Sequence, residues 1–353
     1  MSLPTISRVL AAWGVGGCVR RLSIAIAQSP WTLPAAAPSV PADARLARVA
    51  VLLCTYHGQR YLGEQLESIA RQTHGRWRLW VSDDGSQDDT PAILDAYRSA
   101  WPAGRMAIRP GPRAGVARNF LQLACLDAVG EEADYFAYSD QDDIWEPDKL
   151  ERAVAWLQRV PADVPALYCS RTRLVDENNA EIGLSPLFTR PASFANALVQ
   201  NIGGGNTMVF NRAARALLRE TGAGVPAALH DWWTYLVVIG CGGQVHYDAY
   251  PGLRYRQHRS NQFGSNATWL AKAVRIRALW RGRFRQWNDG NIAALRMLAP
   301  RLTPANRDLL ERFAKARDMR LVPRLVHLKA CGIHRQTMLG NLGLLAAAVL
   351  KKI

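Results

Sequence analysis

The stretches Arg76-Trp77-Arg78-Leu79-Trp80-Val81-Ser82-Asp83-Asp84-Gly85-Ser86 and Asp134-Tyr135-Phe136-Ala137-Tyr138-Ser139-Asp140-Gln141-Asp142-Asp143 share one pattern. Each is a strand-like run that ends in a cluster of carboxylates. Carboxylates packed this densely repel one another. They hold a common site only when a cation or a set of donors lies between them. A nucleoside diphosphate carrying a divalent metal meets that requirement. The two clusters therefore point to an enzyme that handles a nucleotide-activated substrate.

Outward from these runs, strand and helix signals alternate. Val49 to Cys54 is continuously apolar and ends in Thr55-Tyr56, as suits a strand buried on both faces of a mostly parallel sheet. Leu62, Leu66, Ile69 and Ala70 recur at helical spacing. Leu79 to Ser82, Met106 to Ile108 and Tyr135 to Ser139 read as strands, and Pro91 to Ala100 and Gly115 to Asp127 as helices. The alternation predicts an α/β fold: a Rossmann-like nucleotide-binding half with a mostly parallel mixed sheet flanked by helices. In such sheets ligands bind beyond the carboxyl ends of the strands. Thr55-Tyr56, Asp83-Asp84 and Asp140 to Asp143 all fall at such ends. Three strand ends in agreement outweigh any one motif.

Further along, Lys149 to Leu157 reads as a helix. Ala166 to Leu174 and Ile182 read as strands around the turn-forming Asp176-Glu177-Asn178-Asn179. Thr207 to Phe210 is a predicted strand, His230 to Ile239 an apolar helix, and Val245 to Tyr255 extended. The chain divides into an accessory segment and Pro/Ala-rich linker over 1–47, a catalytic domain over 48–262 and a basic, amphipathic helical region over 263–353.

The net charge of +15 is unevenly placed. From Pro251 to Ile353 there are 21 Lys+Arg and 4 Asp+Glu, a net of +17, which leaves −2 for the other 250 residues. A basic third implies an anionic partner: phosphate, anionic lipid or nucleic acid. None of the six cysteines has CxxC spacing, which argues against a zinc cluster or a thioredoxin-like motif. Scattered cysteines suit a reducing cytosol. The apolar run Met338 to Leu350 is too short to span a bilayer. Arg20-Arg21 interrupts the apolar run Val9 to Val19, against a cleaved signal. The expected location is cytoplasmic, peripheral on the inner face of the plasma membrane.

Each motif has a plain reading beside its functional one. Asp140-Gln141-Asp142-Asp143 suits a hard divalent cation, or is a solvated acidic turn before a helix. Asp83-Asp84-Gly85-Ser86 suits the base or ribose of a nucleotide and also suits an Asx turn in which Gly85 supplies the unusual backbone angle; the two readings are compatible. His230-Asp231 could supply a general base, or cap a helix. His258 taken alone is a satisfied polar residue. Gly203-Gly204-Gly205-Asn206 lacks the Lys-Ser/Thr of a P-loop, so its glycines would let backbone approach a substrate. Trp269, Ala273, Ile276, Trp280, Phe284 and Trp287 lie on one helical stripe among arginines. That stripe is either core-facing or an interfacial surface with Trp at headgroup depth.

Taken together, the motifs resemble a known group. Val51-Leu52-Leu53-Cys54-Thr55-Tyr56, Gln65-Leu66 and Gln72-Thr73 lead into Val81-Ser82-Asp83-Asp84-Gly85-Ser86. This resembles the opening of family 2 glycosyltransferases with the GT-A fold. Ser139-Asp140-Gln141-Asp142-Asp143-Ile144-Trp145, with Pro147, Lys149 and Leu150, resembles their DXD region. It is especially similar to the bacterial rhamnosyltransferase-like branch that builds O-antigen and related surface polysaccharides. Gly205-Asn206, His230-Asp231-Trp232-Trp233 and Tyr255-Arg256-Gln257-His258 continue the match in order, over residues from about 48 to 261.

The resemblance implies roles. Thr55, Tyr56, Asp83 and Asp84 would bind the donor nucleotide, with Arg118 and Asn119 near the ribose or diphosphate. Asp140 would touch the ribose, and Asp142 would hold Mg²⁺ or Mn²⁺, with His258 as a further metal or phosphate contact. Asp231 would be the general base. Asp143, Gly205, Asn206, His230, Trp232 and Trp233 would surround the acceptor. The implied reaction is an inverting, metal-dependent transfer of a sugar from a nucleotide-sugar donor to a hydroxyl. The donor would be dTDP-L-rhamnose or, alternatively, a UDP-hexose. The acceptor would be a glycan or a polyprenyl-diphosphate-linked glycan at an anionic membrane surface. Rival readings are a basic nucleic-acid- or membrane-binding protein and a nucleotide-sugar-binding protein without activity. No nucleic-acid motif supports the nucleic-acid reading, and Asp231 argues against an inactive binder.

Overall fold

The structure is a computed structural model that describes residues 47–131, 133–258 and 282–353. The accessory segment before residue 47, the 262/263 boundary and the part of the Trp stripe from Trp269 to Trp280 lie outside the described residues.

Nine strands form one mixed sheet: β1 (Val49–Thr55), β2 (Trp77–Asp83), β3 (Met106–Pro110), β4 (Tyr135–Ser139), β5 (Ile144–Trp145), β6 (Ala166–Val175), β7 (Glu181–Leu184), β8 (Val209–Asn211) and β9 (Gln244–Arg256). The order is β3-β2-β1-β4-β8-β6-β9-β5, with β7 beside β6. β3, β2, β1 and β4 are parallel, as the alternating pattern predicts. β8 runs antiparallel to both β4 and β6, whereas β9 is parallel to β6.

The continuous apolar run of β1 follows from its place in the middle of the sheet. Ala50, Leu52 and Cys54 face one apolar cluster, and Val49, Val51 and Leu53 face the other. Helices α1 (Leu62–Ala70), α2 (Thr90–Ala100), α3 (Val116–Cys125) and α4 (Asp127–Glu131) connect the parallel strands, and α5 (Lys149–Leu157) follows β5. In α1, Leu62, Leu66 and Ile69 recur at helical spacing and are fully buried.

The second half carries α6 (Phe194–Ala197), α7 (Arg212–Thr221), α8 (His230–Gly240), α9 (Arg283–Met297), α10 (Pro304–Asp318), α11 (Leu321–Ala330) and α12 (Met338–Val349). Several start on side-chain caps. Asn211, Thr303 and Thr337 accept from the backbone N–H of Ala214, Asn306 and Gly340, each cap stabilising its helix by about 1 kcal/mol. The strand expected from Thr207 starts instead at Val209. The hydroxyl and backbone N–H of Thr207 both donate to Gly204 O, which holds Gly205–Thr207 in a 3-10 turn.

The described C-terminal helices share the larger apolar cluster with α3, α7 and α8. Phe284 stacks on Trp232 at 6.3 Å and Trp287 meets the same indole edge-on at 6.3 Å. The described end of the Trp stripe is therefore core, not interface. No helix among the described residues is long and apolar enough to cross a membrane.

Candidate active site

The parallel strands bring the predicted site residues to one edge. Thr55 and Asp83 are register partners, and Leu53 pairs with Ser139, the last residue before the second acidic cluster. The loops after β1, β2 and β4 thus open side by side.

The first cluster divides into a structural and an available carboxylate. Asp83 Oδ1 accepts from Thr55 Oγ1 (2.8 Å) and Ser86 Oγ (2.5 Å), and Oδ2 from the N–H of Ser86 (2.9 Å) and Gly85 (3.3 Å). These four donors fill the acceptor capacity of the carboxylate. Asp83 is thus the Asx turn of the plain reading, with Gly85 at φ 94°, and has no acceptor left for a nucleotide. Thr55 is 2% exposed, and its hydroxyl is spent on that turn. Asp84 accepts from the N–H of Arg113 (2.6 Å) and Gly115 (3.2 Å) and keeps acceptor capacity. Asn119 is also buried. It receives Ser82 Oγ (2.5 Å) and donates to Ser82 O (3.1 Å), fastening α3 to the end of β2 instead of facing a ligand. Arg118 is exposed. Tyr56 is 56% exposed, an aromatic face open for stacking at a strand end.

Gln141, to which the sequence reading gave no role, ties the first and third loops together. Its Oε1 accepts from Tyr56 N (2.8 Å) and its Nε2 donates to Tyr56 O (3.0 Å). A side-chain amide that copies a strand pairing has no signature in sequence.

The second cluster is electrostatically loaded. Asp140 is pushed up to about 8, first by burial and then by the charges of Asp142 and Asp231, with Lys149 opposing. Asp143 is raised well above the usual carboxylate range by burial and by Asp142 and Asp140. Asn206 Nδ2 donates to Asp143 Oδ2 (2.5 Å), while Asp143 Oδ1 is buried without a hydrogen bond. Asp142 Oδ2 lies 2.7 Å from His258 Nε2. Beneath them Lys149 is fully buried, its Nζ 3.2 Å from the centre of the Trp145 ring. Burial lowers the Lys149 pKa, and Asp143 and Asp140 draw it back up.

Carboxylates that raise one another in this way are stabilised as anions by an added cation. Asp142 and His258 offer an oxygen and a nitrogen to it, and the residues present fit a divalent ion. Among the described residues no group of three or more His, Cys, Asp or Glu forms a metal cage. The remaining coordination positions would fall to phosphate oxygens and water, as hard divalent ions accept.

Arg256 holds this loop in place. It is 1% exposed and donates to Asp142 O (3.1 Å), Glu177 O (2.8 Å) and Glu64 Oε2 (2.6 Å). The sequence shows Arg256 beside His258, but nothing in it signals a buried strut.

Asp231 occupies the first turn of α8. Its Oδ1 accepts from Trp232 N (2.6 Å) and its Oδ2 from Gly205 N (3.0 Å). Burial raises it to about 6 against those hydrogen bonds. Its charge contributes to raising Asp140, so the two carboxylates lie in one electrostatic neighbourhood. Asp231 meets the requirements of a general base: fixed orientation, a second lone pair on each oxygen, and a pKa close to neutrality.

The neighbours of Asp231 are core. His230 stacks on Phe120 at 4.1 Å, both its nitrogens lack hydrogen bonds, and burial lowers it to about 3. It is a neutral wall, not a base. A Cβ on Gly205 would come 2.4 Å from His230 Nε2, so only glycine lets the backbone close over this ring. Trp232 is 3% exposed and donates from Nε1 to Ala197 O (2.7 Å), and Trp233 is fully buried. Neither indole faces the cleft. Both pack the helix that carries Asp231 into the core.

The sheet carries its acidic loops at the carboxyl ends of β1, β2 and β4, the arrangement of an α/β protein that binds a ligand at that edge. The model of glycosyl transferase family 2 matches residues 50–220. The dTDP-rhamnosyl transferase RfbG of Shigella flexneri is 30% identical over 232 residues, covering 64% of this chain and 78% of that protein. Among solved structures, S. aureus TarS 1-349 gives a TM-score of 0.47 at 15% identity, covering 80% of this chain and 90% of that one. The mannosyltransferase PcManGT from Pyrobaculum calidifontis, solved with GDP-Man and Mn²⁺, gives 0.46 at 17% identity, covering 99% and 96%. The chain belongs to glycosyl transferase family 2. It is a glycosyltransferase, and its sheet is the mostly parallel, helix-flanked α/β sheet expected from the sequence.

Proposed function

We propose that the protein transfers L-rhamnose from dTDP-L-rhamnose to a hydroxyl of a glycan or lipid-linked glycan, with inversion at the anomeric carbon. The observation that carries the mechanism is Asp231: a carboxylate raised to about 6, held by two backbone N–H groups and near enough to Asp140 for its charge to raise that residue. The donor assignment is supported by the similarity to RfbG, a dTDP-rhamnosyl transferase.

Tyr56 stacks on the nucleotide base, and Asp84 accepts from base or ribose. Asp140 accepts from the ribose. Asp142 and His258 would hold Mg²⁺ or Mn²⁺. A divalent cation there supplies electrostatic stabilisation of the leaving group. Asp231 takes the proton of the acceptor hydroxyl as that oxygen forms its bond to the anomeric carbon. The bond to the diphosphate oxygen breaks on the opposite face, so one displacement inverts the configuration. Asp143, tied to Asn206, keeps the cleft floor rigid below the reacting atoms.

The test is a donor panel with the full chain, read by thermal stabilisation and by sugar transfer, with and without EDTA. The expected result is stabilisation by dTDP-rhamnose with Mg²⁺ or Mn²⁺, lost in Asp142→Ala. Asp231→Asn should keep donor binding and lose turnover by about 10³-fold. Preference for a UDP-hexose would replace the substrate. Normal turnover in both variants would overturn the mechanism.

A further inference from the structure

The last two helices leave apolar side chains in solvent. On α12, Met338 is 80% exposed and Leu339 79%, and Leu342, Leu345 and Val349 are exposed as well. At 3.6 residues per turn, Leu345, Met338, Val349, Leu342, Ala346 and Leu339 follow one another around a continuous arc of about 120°. No polar residue interrupts that arc. The opposite side of α12 is also apolar: Leu344, Ala347 and Ala348 are buried in the large core cluster. The helix is thus apolar on the side that faces the core and on the side that faces water. The neighbouring α11 exposes Leu321, Val322 and Val326, the second of these by 70%. Soluble surfaces rarely leave such a patch uncovered.

The segment that carries the patch is basic, and one exposed carboxylate, Asp318, lies near its Lys351 edge, paired with Arg285. From residue 319 to 353 there is no Asp or Glu, and there are six Lys+Arg. Arg320, Lys329 and Lys351 are exposed. Arg324 is spent internally, donating to the carbonyls of Ala348 (2.7 Å), Met319 (2.9 Å) and Val349 (3.1 Å), which locks α11 against α12. The apolar arc is therefore a feature of a fixed helix pair. A second copy of this face would bring basic rims together, which disfavours self-association. An anionic bilayer supplies both an apolar layer for the leucines and negative headgroups for the rim.

We propose that the exposed faces of α11 and α12 dock on an anionic lipid surface, with Leu339 and Leu342 inserted below the headgroups. Arg320, Lys329, Lys351 and Lys352 contact lipid phosphates around them. This surface is distinct from the Trp stripe, whose described end is core. The proposal does not depend on the identity of the donor or on Asp231.

The test is co-sedimentation of the full chain with vesicles of phosphatidylcholine alone and of phosphatidylcholine mixed with phosphatidylglycerol. Binding to the anionic vesicles should exceed binding to the neutral ones by about tenfold and weaken with salt. Leu339→Glu/Leu342→Glu should lower it by a further factor of about ten. Lys351→Glu/Lys352→Glu should weaken binding and flatten its salt dependence. Leu339 and Leu342 are solvent-exposed, so thermal stability and transfer to a water-soluble acceptor should stay unchanged in the first variant. Absence of binding to anionic vesicles at low salt would overturn the proposal, as would equal binding by the parent and the Leu339→Glu/Leu342→Glu variant. So would a parental dimer in sedimentation velocity that this variant dissociates, because the face would then belong to a second copy.

Discussion

At the residue scale, His230 and Asp231 are adjacent in sequence and opposite in their response to protons. Burial lowers His230 from 6.5 to about 3 and raises Asp231 from 3.8 to about 6. Below pH 6.5 the unfolded chain protonates His230 while the folded one does not. Stability from this residue therefore falls by about 1.4 kcal/mol per pH unit down to about pH 3. Above pH 6.5 it is neutral in both states and contributes nothing to the pH dependence. Asp231 works the other way, because the folded state takes up its proton first, so stability rises as pH falls from about 6 to about 3.8. His230→Leu removes the first effect alone. Its melting temperature should lie near the parent's at pH 8 and gain on it progressively from pH 6 to pH 4, measured by calorimetry. Constant spacing between the two curves would mean that His230 is charged in the fold. Asp231 also predicts an activity profile. It must be ionised to accept a proton, so kcat/KM should fall about tenfold per unit below an apparent pKa near 6. An acid limb unmoved in the residual activity of Asp231→Asn would assign the ionisation to another group.

At the scale of elements, the parallel strands and their loops are legible in the sequence because each depends on local pattern. β1 shows as a continuous apolar run since both its faces are buried, and the acidic clusters show because they follow such runs directly. What was not legible depends on contacts between distant segments. Asp83 and Asp84 look alike in sequence, yet one is consumed by Thr55 and Ser86 and the other is tied to the loop before α3. Arg256, at the end of β9, reaches back to Glu64 across 192 positions. Its part in holding Asp142 follows only from the sheet order. This strut carries a prediction. Lysine at position 256 keeps the charge but has no planar fork to serve Asp142 O, Glu177 O and Glu64 together. Arg256→Lys should weaken metal-dependent donor binding by about 10-fold to 100-fold, as loss of an outer-shell support does. The melting temperature without donor should change far less. Titration of donor with Mn²⁺ by calorimetry reads this out, and unchanged affinity would remove Arg256 from the site.

At the scale of the whole molecule, the charge map suggested a near-neutral catalytic part and a separate basic region. The charges are divided in that way, but the described core is not. Leu302 approaches Gly240 at the end of α8, Asn306 donates to Ile239 O (3.1 Å) and Gly240 O (3.0 Å), and Phe284 stacks on Trp232. Charge reports on the surface and says nothing about which apolar faces meet. The helix that carries Asp231 is thus buttressed by residues beyond 282, and loss of packing in α10 should be felt at Asp231. Phe313 is fully buried in the shared cluster. Phe313→Ala should cost about 3–5 kcal/mol through lost burial and the cavity left behind. Because the cluster is continuous, the variant should still unfold in one transition, shifted downward. Donor and metal should raise that single transition in the variant as in the parent, since the loops after β1, β2 and β4, which the proposal assigns to the donor, are untouched. A calorimetric trace that splits in two, with the donor-responsive transition at its parental temperature, would show instead that the basic helices fold as an independent unit.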